Sequence, residues 1–121
     1  MSIPILKLGD HLVATIQSAA SDEELRGLES TLPERVGELR SKGVVIDVGA
    51  MDVLDSFATR MLRTTADVLR LRGAETVVVG IQPDVAFAMV RMGLNFEGLQ
   101  TALDLEEGIA LLLELEARGE E

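Results

Sequence analysis

The stretch between residues 52 and 60 holds side chains whose types and spacing could do chemistry. Asp52, Asp55 and Ser56 lie close together, and Arg60 follows Ser56 by four residues. A serine hydroxyl can accept a phosphate, which adds about −1.5 to −2 charge and three acceptor oxygens. The free amides of a helix N-terminus tolerate that charge, and an arginine one turn along could hold it. These residues raise the hypothesis of a phosphorylation switch.

Helix capping is the plainer interpretation of the same residues. Asp and Ser are both preferred at N-caps, so either Asp55 or Ser56 could cap a helix, and capping chemistry alone favours a structural role. If Ser56 is instead modified, a phosphate beside Asp52 and Asp55 would repel or desolvate a partner docked on the turn. The residues leave open whether Thr59, Thr64 or Thr65 is modified as well.

Two rival interpretations, a receiver domain and a serine hydrolase, lack residues that they require. A phosphoacceptor receiver domain needs an acidic pair after its first strand and a late-strand lysine, whereas the lysines here are Lys7 and Lys42. A serine hydrolase needs a Gly-x-Ser-x-Gly turn and a base, but Ser56 stands in Asp-Ser-Phe and His11 is the one histidine. We therefore predict that the protein is not an enzyme.

Composition limits the remaining classes. The chain has 121 residues, a formal net charge of −10, 2% aromatic residues and no cysteine. This charge argues against nucleic-acid binding and favours basic protein partners, and the length predicts a single domain over residues 1–121. No apolar run approaches the roughly 18 residues of a membrane span, so we expect a cytoplasmic protein. Glutamate pairs at 23–24 and 106–107 suit first helical turns, and we predict no metal and no cofactor.

Hydrophobic periodicity predicts the elements that position the turn. Residues 3–8 and 12–17 are typical of a β-hairpin, and the β-branched runs at 44–48 and 75–81 of buried parallel strands. Helical spacing over residues 56–72 makes the intervening segment a strand–helix–strand crossover. A short last strand is predicted at 101–103. We expect an α/β fold with a mixed four- to five-stranded sheet, an N-terminal hairpin and about four helices.

The other three helices are less uniform. Ser21 and Glu24 form a capping box before a helix that contains Pro33, for which we predict a kink or a break near residues 31–33. A short helix is predicted over residues 85–92. A leucine-rich helix follows from residue 105 to about residue 117.

With these motifs in place, the chain resembles the STAS domains related to anti-anti-sigma factors, in particular the S-type (RsbS-like) stressosome scaffold proteins. The resemblance covers most of the chain. It is carried by the segments IPILKLGDHLVATIQ, GVVIDVGAMDVLDSFATR, GAETVVVGIQPDVAF and GLQTALDLEEG.

The resemblance implies a STAS fold and a non-enzymatic role. Proteins similar to this one co-assemble with R-type STAS paralogues and hold a T-type serine/threonine switch kinase, which leaves when it phosphorylates the scaffold serine. That serine matches Ser56, and a phosphatase resets the site. Asp52, Asp55, Phe57 and Arg60 are then expected at the partner-binding surface. A dimer or a large hetero-oligomer is expected, and the alternative is a free anti-anti-sigma factor that binds an anti-sigma kinase under control of Ser56.

Overall fold

The computed structural model describes residues 2–119, which form a five-stranded sheet with helices on both faces. The spatial order of the strands follows their order along the chain. The first two strands pair antiparallel, and every later pair is parallel. The elements in chain order are β1 (Ile5–Leu8), β2 (His11–Thr15), α1 (Asp22–Leu39), β3 (Gly43–Asp47), α2 (Ser56–Leu71), β4 (Glu75–Val79), α3 (Pro83–Arg91), β5 (Gln100–Ala102) and α4 (Leu105–Gly119).

The predicted α/β fold is confirmed, including the hairpin, the mixed sheet and the four helices. The central strands are buried on both faces, as their β-branched sequences indicate. One prediction needs adjustment at Pro33: α1 is assigned as one continuous helix through this residue, so the helix does not break there. Pro33 removes a single helical hydrogen bond, and the buried residues Leu32 and Val36 hold the helix against the core on both sides.

The core is divided unequally between the two faces of the sheet. On one face α1, α2 and α3 pack over a large apolar cluster, to which α3 contributes Val85 and Met89. On the other face α4 packs over a smaller cluster that includes Val45, Val79 and Leu112. One helix therefore covers the second face of the sheet.

Helix α4 lies close to that face because a glycine stands at the contact. A Cβ atom on Gly108 would come within 2.7 Å of Val79 Cγ1. Leu112, four residues on, is fully buried, and Glu116 accepts a 2.7 Å hydrogen bond from His11 Nε2 on β2. Gly108, Leu112 and Glu116 therefore form the stripe of α4 that faces the sheet.

Within residues 2–119, none of the four helices is both long enough and apolar enough to pass through a lipid bilayer.

Candidate functional site

The predicted switch turn lies between the carboxyl end of β3 and the start of α2. Val48, Met51 and Leu54 are buried, and Met51 and Leu54 are each flanked by exposed residues. Asp52 and Val53 lie between the two latter anchors and are exposed. Regularly spaced apolar anchors therefore hold this turn in place while its charged group points outward.

Hydrogen bonds at the base of the turn fix it to the neighbouring loop after β4. Asp47 Oδ1 accepts a 2.8 Å bond from the Gly49 amide, and Gln82 Nε2 donates a 2.9 Å bond to the Gly49 carbonyl. Gly80 has a φ of +82°, and a Cβ atom there would lie 3.1 Å from Asp47 Oδ1 and 3.2 Å from Gly49 Cα. The two loops meet where only glycine combines this backbone conformation with such a close approach.

Asp55, rather than Ser56, caps α2. Its side-chain Oδ1 accepts a 2.8 Å bond from the Ala58 amide, and its carbonyl accepts a 2.9 Å bond from the Thr59 amide. Ser56 is the first helical residue and is exposed. Among residues 2–119, no group forms a hydrogen bond with its hydroxyl. The sequence left open whether Asp55 or Ser56 caps α2, and the structure assigns the cap to Asp55. The Ser56 hydroxyl makes no hydrogen bond that holds this helix end.

Two other predicted site residues, Phe57 and Arg60, follow Ser56 on α2. Phe57 is half-buried and packs against the larger core cluster, and the Arg26 guanidinium carbon lies 4.9 Å from the centre of its ring. Arg60 is exposed, and no ion-pair partner for it exists in the described part of the chain. It lies one helical turn from Ser56, so its guanidinium is available to an anion there.

A small cleft of about 200 Å³ opens beside the turn, between the loop after β2 and the start of α2. Three carboxylates line it, from Asp22, Asp52 and Asp55, and Val53, which is 64% exposed, lies at its edge. Asp22 and Val53 were not predicted as site residues. Asp22 is far away in the sequence, in the first turn of α1, and the apolar pair Val53-Leu54 does not reveal which side chain points outward.

The nearby threonines differ in accessibility. Thr59 and Thr65 are almost fully buried, whereas Thr64 is exposed. Of these three threonines only Thr64 is exposed to solvent, as Ser56 is. No group of three or more acidic or histidine side chains between residues 2 and 119 is arranged to hold a metal ion.

Comparison with known proteins gives the following matches. The family model described as "STAS domain" matches residues 3–108. Among curated proteins of Bacillus subtilis (strain 168), the chain is 25% identical over 119 residues to the RsbT co-antagonist protein RsbRA and 28% identical over 118 residues to RsbRC. These matches include 98% and 95% of this chain, but only 43% and 41% of the lengths of RsbRA and RsbRC. The chain thus spans about two fifths of the length of the curated relatives it matches.

Two solved structures match at higher identity over nearly complete chains. A serine-to-glutamate variant of RsbS from Moorella thermoacetica matches with a TM-score of 0.80 and 35% identity, covering 95% of this chain and 97% of that one. A chain from a structure of the stressosome, described as a signal integration and transduction hub, matches with a TM-score of 0.78 and 36% identity over 93% and 98%. The anti-sigma factor antagonist SpoIIAA in its unphosphorylated form shares the fold alone, at 9% identity and a TM-score of 0.68 over 93% and 98%.

Proposed function

The chain belongs to the STAS domain family, and on that premise we propose that it is a non-enzymatic stressosome scaffold and antagonist. It sequesters a T-type serine/threonine switch kinase and releases it when Ser56 is phosphorylated. R-type STAS paralogues co-assemble with it, and a phosphatase restores the unmodified serine. The similarity to RsbS and to a stressosome chain supports this role, as do relatives that are named co-antagonists of RsbT.

One observation carries the proposal: Ser56 is exposed at the N-terminus of α2 while Asp55 alone provides the side-chain cap. A kinase can therefore modify Ser56 without removing a hydrogen bond that holds the helix. The first amides of α2 and the exposed Arg60 favour the added negative charge. Phosphorylation then changes the surface of the turn while the fold stays intact.

The acidic cleft beside Ser56 gives the partner a place to bind. Asp22, Asp52 and Asp55 attract a basic side chain of the kinase, and the exposed Val53 adds an apolar contact. A phosphate on Ser56 enters this contact as a bulky dianion. The docked kinase would have to desolvate that dianion or move away from it, which lowers its affinity.

The site is tested by incubating the protein with ATP and the switch kinase, followed by intact-mass and peptide mass spectrometry. We expect one phosphate, on Ser56. Ser56→Ala abolishes the modification, and Ser30→Ala, which changes an exposed serine in α1, leaves it unchanged. An active kinase that leaves Ser56 unmodified contradicts the proposal.

The switch is tested by titration calorimetry with the kinase. Ser56→Ala binds like the wild type, whereas Ser56→Asp binds about tenfold more weakly, equivalent to about 1.4 kcal/mol. Ser30→Asp adds the same charge on α1 and serves as the matched control. Equal affinities for the wild type and for Ser56→Asp would exclude an electrostatic switch.

Size separates the scaffold from a free anti-anti-sigma factor. Mixing the protein with R-type paralogues yields a megadalton complex if it is a scaffold. A small species that persists in their presence would instead support the free factor.

A further inference from the structure

One side chain from a distant part of the sequence holds the switch turn, residues 49–54. Gln82 Nε2 donates a 2.9 Å bond to the Gly49 carbonyl, across 33 positions of the chain. The other hydrogen bonds of this turn run to residues 47–48, where its own strand β3 ends. Within residues 2–119, the bond from Gln82 is therefore the one hydrogen bond that joins the turn to an element beyond β3.

The backbone before α3 fixes the direction of the Gln82 side chain. A proline at the next position restricts Gln82 to extended backbone, and its φ and ψ are −65° and 147°. Helix α3 then begins at Pro83, and Val85 and Met89 bury it in the larger core cluster. Gln82 thus reaches the switch turn from the end of a firmly packed helix.

Gln82 bonds to the turn instead of capping its own helix. It occupies the N-cap position of α3 and makes no side-chain cap bond there. Serine, threonine, aspartate and asparagine are the residues preferred at this position, because their short side chains reach the first free amides of the helix. The longer glutamine reaches Gly49 instead. Holding the switch turn is therefore the contact that the length of this side chain serves.

We propose that Gln82 is a positioning residue for Ser56, a role that rests on the proposed function. Its bond to Gly49 holds the switch turn in the conformation that the kinase binds. Asp52 and Val53, which the kinase would contact, are exposed and make no hydrogen bond in the described part of the chain. Their arrangement therefore depends on how firmly the start of the turn is held.

This hydrogen bond adds a constraint that apolar burial does not supply. Met51 and Leu54 hold the turn against the core, but the hydrophobic effect is non-directional. The bond to Gly49 depends on angle as well as distance, so it selects one orientation of that peptide. Without the bond the turn samples more conformations, and a kinase that binds one of them pays conformational entropy to order it. Gln82 does not bond to Ser56, so the reactivity of the hydroxyl is unaffected.

Amide hydrogen exchange tests the contact without a kinase. Gln82→Ser removes the bond, because a serine side chain is too short to reach Gly49, and it supplies a hydroxyl that can cap α3. The amides of Gly49 and Met51 are hydrogen-bonded within the turn, and we expect them to exchange about fivefold to tenfold faster in this variant. The amide of Leu69 in α2 keeps its protection, whereas a general loss of stability would speed all three.

The kinetics of Ser56 phosphorylation test the positioning role. For Gln82→Ser we expect KM to rise about threefold to tenfold with kcat unchanged, because substrate binding is weakened and the reacting hydroxyl is not. Gln100→Ser is the matched control. It changes an exposed glutamine in β5 whose side chain makes no hydrogen bond in the described structure, so both constants stay at their wild-type values.

The possible results distinguish this role from the proposed function. A wild-type chain that an active kinase leaves unmodified contradicts the proposed function. A modified wild type with the same KM as Gln82→Ser overturns only the positioning role, and so does a fall in kcat at constant KM. Unchanged exchange at Gly49 and Met51 overturns the inference whatever the kinase does.

Discussion

At the level of single residues, Asp55 and Ser56 are adjacent, but only Asp55 bonds to the start of α2. Asp55 uses its carboxylate to cap α2, and the Ser56 hydroxyl is left free in the described structure. A modified residue that also capped the helix would unwind its first turn each time its state changed. If Ser56 is phosphorylated as proposed, this separation lets the charge of the turn change while the stability of α2 is retained.

Asp55 also contributes negative charge to the cleft, and substitutions can separate this from capping. Asp55→Ala removes the cap and lowers the free energy of unfolding by about 1 kcal/mol. Asp55→Asn keeps a capping oxygen, so its stability stays within about 0.5 kcal/mol of the wild type; under the proposed function, the lost charge weakens kinase binding. Urea denaturation and calorimetry measure the two effects. Asp52→Asn is the control for stability, because Asp52 is exposed and this substitution changes only its charge. Equal destabilisation by Asn and Ala would contradict the capping role.

The sequence located this turn but left its details open. Asp and Ser have similar N-cap preferences, so the cap could not be assigned to Asp55 or Ser56 from residue types. The exposure of Val53 and the approach of Asp22 depend on how the turn meets α1. Those details come from tertiary packing, which local patterns do not contain.

At the level of elements, α1 shows how packing overrides a local breaker. Pro33 cannot donate the helical hydrogen bond to the Glu29 carbonyl, and its ring crowds the preceding turn. Four buried residues spread over the helix nevertheless anchor it on both sides of the proline: Leu25, Leu28, Leu32 and Val36. In the sequence, the apolar stripe favours a continuous helix and Pro33 favours a break. Helix propensity alone did not show which of the two effects would dominate.

Replacing Pro33 should therefore stabilise the protein. Pro33→Ala restores the missing hydrogen bond and removes the clash. Because the alanine chain also has more conformational entropy when unfolded, we expect a net rise in the free energy of unfolding of about 1–2 kcal/mol. Chemical denaturation measures this change. Glu34→Ala, at the exposed neighbouring position, should stay within about 0.5 kcal/mol. A destabilised Pro33→Ala variant would indicate that the proline has a packing role in α1.

Element types were predictable, whereas their ends were less so. The buried strands β3 and β4 were found from β-branched runs because few other structures bury such sequences. Helix α3 begins at Pro83, two residues before the predicted start. Proline suits the first helical position, where its missing N–H has no partner to lose, and this signal was read as a turn instead.

At the level of the whole molecule, the two faces of the sheet depend on very different numbers of helices. Helix α4 covers the second face through the stripe Gly108, Leu112 and Glu116. Residues on the other side of the same helix are exposed, Leu113 among them. Leucines are thus spread around α4, and hydrophobicity alone did not identify the buried side.

Leu112 should be the main apolar anchor of α4. Leu112→Ala leaves a cavity over the second face and lowers the free energy of unfolding by about 2–5 kcal/mol. Leu113→Ala removes the same atoms from a side chain that is 54% exposed. This substitution should change the free energy of unfolding by less than about 1 kcal/mol. Thermal and urea denaturation compare the two variants. Similar losses for both would mean that the exposed side of α4 is also packed in solution.

The dependence of that face on α4 also has a consequence for the order of events during translation. All five strands precede α4 along the chain, so the ribosome releases the sheet-forming segments before the helix that covers them. Until α4 emerges, a sheet that had already formed would present Val13, Val45, Val77 and Val79 to solvent. The nascent chain is therefore most exposed to aggregation and to chaperone capture in the interval after β5 has left the ribosome and before Leu112 packs on the sheet.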